Sequence, residues 1–104
     1  MTLEQLYKYL TQFPKTRTCK HGFTNPHSYR GYYEELAFEP AENVTVGHMI
    51  MCCTRAHNET FTGWKGGEFT YSDNTYVHIA YEGNANGEND DFPSEILLSI
   101  AGVK

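Results

Sequence analysis

Thr45-Val46-Gly47-His48-Met49-Ile50-Met51-Cys52-Cys53-Thr54-Arg55-Ala56-His57 is the stretch on which the fold turns. Val46, Met49, Ile50, Cys53 and His57 recur at the three- and four-residue steps of one helical face, and Thr45 is a natural N-cap just ahead of them. The spacing predicts a helix over 46–57. Beyond Asn58 the period changes. Thr60, Phe61 and Thr62, a glycine-rich turn over 63–67, residues 68–71, the polar turn Ser72-Asp73-Asn74 and residues 75–81 read as strands joined in a hairpin.

Working outward, Leu3, Leu6, Tyr7 and Leu10 share one helical face between the cap candidate Thr2 and the breaker Pro14, which predicts a helix over 2–12. Residues 15–26 have no period and read as a loop or a ragged edge strand. Residues 29–38 are dense in aromatics and read as a strand leaving a turn at Gly31, although 34–37 could also take helix. A turn is expected over 41–43. Residues 82–93, rich in Gly, Asn and acids, read as a solvated loop, and 95–103 as a final apolar strand. The order α, β, α, β, β, β predicts an α+β fold, with an antiparallel sheet and two helices packed on one face.

A chain of 104 residues is expected to form a single domain over 1–104. Its apolar fraction is only 39%, but 14% of the residues are aromatic, and rings bury area that the sparse aliphatic side chains cannot. No run approaches the roughly 18 apolar residues of a membrane span, and the first residues lack the basic and apolar parts of a leader, so no membrane is expected as a partner. The net charge of −5 argues against a long nucleic-acid track. It is unevenly spread. Lys8, Lys15, Arg17, Lys20 and Arg30 face only Glu4 in the first third, whereas Glu59, Glu68, Asp73, Glu82, Glu88, Asp90, Asp91 and Glu95 face only Lys65 later. Cys19, Cys52 and Cys53 are an odd number with two adjacent, which suits free thiols in a reducing compartment.

Two segments carry candidate chemistry. In Ser28-Tyr29-Arg30-Gly31-Tyr32-Tyr33 a guanidinium fork suited to phosphate or carboxylate stands among rings able to stack, beside a glycine that permits close approach. Equally, these tyrosines could be half-buried strand residues, with Arg30 paired to Glu34 or Glu35. In Phe61-Thr62-Gly63-Trp64-Lys65-Gly66-Gly67-Glu68, glycine N–H groups could form an anion nest, with Lys65 as a point charge and Trp64 as a stacking platform. Alternatively this is a turn whose glycines supply positive φ while Trp64 covers the core.

The spacing of His48 with Cys52, and of Cys53 with His57, puts each pair on one side of a helix. No CxxC accompanies them, so buried thiols are the reading and no metal is expected. The stretch Glu82-x-Asn84-x-Asn86-Gly87 begins like a calcium loop, but its twelfth position is Pro93 instead of a bidentate Glu. No nucleophile carries a local catalytic signature and no cofactor motif is present, which argues against an enzyme.

The two segments resemble those of a family of small phage- and prophage-encoded accessory proteins with S-[YW]-R-G-x-Y and F-T-G-[YW]-K-G-G motifs, and the likeness covers about residues 28–81. Relatives often carry an acid where this chain has His48. The resemblance implies a counter-defence protein acting in the host cytoplasm. The expected function is non-catalytic binding of an anionic, nucleotide-like small ligand, sequestering an immune signal. Arg30 and Lys65 would hold phosphate, Gly66 and Gly67 would present N–H groups, Tyr29 and Trp64 would sandwich a base, and Ser28 and Gly31 would complete the site. Two other classes stay open: an inhibitor that binds a host defence protein through the acidic surface of 82–95, and an enzyme acting on a nucleotide.

Overall fold

Thr2 and Thr45 do what their positions predict. Thr2 Oγ1 accepts the Gln5 N–H at 3.2 Å while Gln5 Oε1 accepts the Thr2 N–H at 2.9 Å, a reciprocal cap that starts α1 (Leu3–Leu10). Thr45 Oγ1 accepts the His48 N–H at 3.0 Å at the start of α2 (Val46–Asn58). The computed structural model describes residues 1–28, 35–58, 60–62, 68–79 and 93–102. Along them run α1, β1 (Thr18–Ser28), β2 (Glu35–Thr45), α2, β3 (Thr60–Thr62), β4 (Glu68–Thr70), β5 (Tyr76–Ile79) and α3 (Ser94–Ile100). The class is α+β.

Two strand assignments change. The main sheet is mixed, in the order β1-β2-β5: β1 is antiparallel to β2, but β5 lies parallel to it, with Leu36 opposite Val77 and Phe38 opposite Ile79. Residues 75–81 were expected to continue the hairpin with 68–71, yet only β3 and β4 pair that way, in a second sheet of two strands. The chain between β2 and β5 contains α2, and a helical crossover of that length is what permits parallel pairing. The expected strand over 95–103 is instead α3, which buries Ile96 and Ile100 one helical turn apart and leaves Leu98 half exposed.

The ambiguous stretch 15–26 resolves into an edge strand. Its register slips by one residue between Thr24 and Pro26, and Asn25 takes the bulge at a φ of 49°. The turn expected over 41–43 is part of β2, in which Asn43 has a φ of 55°. Pro40 fits for a reason of register. The His21 N–H points away from β2, to Ser99 Oγ at 3.0 Å, and pairing is regular from His21 to Thr24. Phe23 and Pro40 therefore form a pair of the same kind, and the nitrogen of Pro40 faces away from β1 on a side where β5 pairs only 35–38.

Leu36, Ala37 and Phe38 are consecutive and all fully buried, so both faces of β2 are covered. In β1, Gly22 and Thr24 turn toward Met49 and His48 of α2, while the ring of His21 meets Glu95 of α3 at 3.3 Å. The two helices thus approach β1 from opposite sides, and α1 lies against α2. The core joins Leu3, Leu6 and Leu10 of α1 to Val46, Met49, Ile50 and Cys53 of α2 and to Phe23 and Phe38, whose ring centroids are 4.4 Å apart. Cys52 and Ala56 are buried too, because β1 flanks one side of α2 and α1 the other, whereas His57 is exposed.

Candidate functional site

Ser28 ends β1, paired through its backbone with Leu36. Tyr29, Arg30 and Gly31 follow it, and they lie outside the described residues, as do Trp64, Lys65, Gly66 and Gly67. What the structure gives is the frame from which these segments depart. The first joins β1 to β2 and the second joins β3 to β4, each pair antiparallel. The frames meet: β3 lies against β1. His57 Nε2 near the end of α2 is 3.1 Å from Asp73 Oδ1 in the turn ahead of β5, and β5 begins at Tyr76, which pairs with Glu35 at the start of β2.

Three groups of described side chains bear on chemistry. At the β1 bulge, Thr24 Oγ1 and His48 Nε2 are 2.8 Å apart, and Cys52 Sγ is 3.7 Å from the same nitrogen. This is the expected His48–Cys52 pairing on one side of α2, with a strand hydroxyl as the third member. Burial pushes the Cys52 thiol up, against smaller opposing effects from Thr24, the Asn25 backbone and Arg55. The group is a protonated thiol in a polar bridge between helix and strand, not an exposed thiolate. Cys19 and Cys53 are buried free thiols as well, both pushed up by burial.

At the opposite end of α2, Cys53, Thr54 and His57 face Leu3, Glu4 and Tyr7 of α1 and Asp73 across a pocket of about 210 Å³. Its ionic groups are engaged: His57 with Asp73, and Glu4 with Lys8 at 2.7 Å. The Asp73 carbonyl also accepts the Glu4 N–H at 3.1 Å. The His57–Asp73 contact and the Asp73 carbonyl hold the turn before β5 to both helices, and among the described residues the ionisable groups Glu4, His57 and Asp73 that line the pocket each have a partner. The third group is a larger groove between β1 and α3, reached by Lys20, His21 and Ser99.

Among the described residues, no cluster of three or more His, Cys, Asp and Glu side chains could hold a metal ion, and no helix is long and apolar enough to cross a membrane. No protein-family model, no curated protein and no solved structure matches the chain.

Proposed function

We propose that this chain binds an anionic, nucleotide-like small ligand without transforming it, as a phage protein that withdraws an immune signal in the host cytoplasm would do. The phosphate falls to Arg30 and Lys65, the latter backed by the N–H groups of Gly66 and Gly67, and the base to Tyr29 and Trp64, with Ser28 and Gly31 at the margin. One observation supports this reading: β3 lies against β1, so the segments carrying the two cations leave from neighbouring strands. An Arg fork and a Lys point charge separated by 35 positions serve one anion only if the fold brings their strands together.

The test is calorimetric titration of nucleotides and cyclic oligonucleotides into wild type, Arg30→Ala and Lys65→Ala, with melting curves alongside. Each variant should lose on the order of 1.5–3 kcal/mol of binding, the scale of a charged hydrogen bond, with its melting unchanged. Binding equal to wild type, or early melting of both variants, would make these residues structural and turn attention to the acidic segment.

A further inference from the structure

The edge strand β1 and the helix α3 border a groove of about 740 Å³, within the roughly 300–1,000 Å³ of small-molecule sites. Among the described residues that line it the one acid is Glu95, 3.3 Å from His21, while Lys20 has no ion pair among the described residues. Gly102, which lines the groove just beyond α3, has a φ of 82°, and a Cβ there would lie 3.3 Å from Arg17 Nη1. Arg17 is held in place: Nη1 donates to the Ile100 carbonyl at 3.1 Å and its plane lies over Phe13.

Ser99 adds direction. Its Oγ accepts the His21 N–H at 3.0 Å, which fixes the oxygen on the groove wall, and the hydroxyl retains a proton to donate. Leu98, with half its surface exposed, supplies an apolar wall beside these polar groups. A mobile cation, an oriented hydroxyl and an apolar wall together describe the recognition of an anionic head on an apolar body.

We propose that the β1–α3 groove binds a small organic anion, its phosphate or carboxylate taken by Lys20 and the Ser99 hydroxyl and its apolar body laid along Leu98. None of the described residues lining the groove belongs to the first proposed site, and Lys20 lies roughly 26 Å up the strand from Ser28 at about 3.3 Å per residue.

The experiment is an amide NMR titration of the full chain with phenyl phosphate, benzoate and inorganic phosphate. Phenyl phosphate and benzoate should shift amides of 18–21 and 98–102 saturably in the millimolar range, with inorganic phosphate weaker. Lys20→Gln should weaken all three by about tenfold or more, the worth of a charged hydrogen bond. Leu98→Ser should weaken the two aromatic anions and leave inorganic phosphate unchanged. Both positions are exposed, so each variant folds. Absence of saturable shifts at these amides, or identical titration of Lys20→Gln, would each overturn the proposal.

Discussion

Thr24 Oγ1 and His48 Nε2 meet at 2.8 Å, and this contact ties the bulged edge strand to the first turn of the central helix. The bulge places an extra residue, Asn25, in a left-handed conformation, which costs of order 1 kcal/mol and persists only where neighbours hold it. His48 is such a neighbour. At the position where a capping box would have Glu or Gln, its ring reaches across to β1 and helps fix the bulge.

The first prediction concerns that link. Thr24→Val and His48→Ala should each cost about 1–2 kcal/mol, because each leaves a partly buried polar partner without its bond. The double variant should cost less than the sum, by roughly 0.5–1.5 kcal/mol. Urea unfolding of the four proteins gives the coupling directly, and simple additivity would show that the contact contributes nothing.

The second prediction follows from the thiols. Burial raises Cys53 far above the ordinary 9.0 of a thiol, with the adjacent Cys52 adding to the effect. The folded state therefore keeps its proton in a pH range where the unfolded chain releases it. This contribution is complete below pH 9.0 and falls as pH rises beyond it, by up to about 1.4 kcal/mol per pH unit for one group. Urea midpoints between pH 8 and pH 10.5 should decline steeply in wild type and less steeply in Cys53→Ala, whatever the absolute stability of the variant. Native protein should also react slowly with a thiol reagent and release all three thiols on unfolding.

The positions of α1 and α2 are legible because each of these two helices carries its own start signal and period. Thr2 with Gln5, and Thr45 ahead of Val46, are local features that tertiary contacts did not override. The strands were less so. β1 looked aperiodic because Gly22 and Asn25 interrupt it, and both are there for nonlocal reasons: Gly22 makes room for α2, and Asn25 serves a bulge whose partner is in β2. The direction of β5 depends on which edge of β2 is free, a property no window of sequence contains. The sequence of α3 reads as a strand because Ile96, Leu97, Leu98 and Ile100 form a short apolar run, which period alone cannot assign. Since the groove at Lys20 exists only with α3 as a helix, that site could not be read from the sequence either.

The third prediction tests the face of α2. Ile50 is almost fully buried, next to the wholly buried Met49 and Val46. Ile50→Asp places a carboxylate there with no cation assigned to it and should cost roughly 3 kcal/mol or more. A variant that melts within a degree or two of wild type would mean that the helix face is misassigned.

The last prediction concerns Gly22. A methyl group at this position would run into Val44 Cγ2 and stand 2.9 Å from Met49 Sδ. Two effects of Gly22→Ala compete. Stiffening the unfolded chain favours the variant by about 0.4–1 kcal/mol, whereas forcing an extra methyl into a filled site costs about 1–3 kcal/mol. Overpacking should win, because Val44 is β-branched, stiff, and held between strand and helix. Gly22→Ala should therefore lower stability by one to a few kcal/mol in urea unfolding. The diagnostic is the pairing with Val44→Ala, which empties the space that the new methyl needs. The double variant should be more stable than the sum of the two single changes by about 0.5 kcal/mol or more. If Gly22→Ala proves neutral or stabilising, α2 does not press on β1 at this point, and the bulge must be held by the Thr24–His48 contact alone.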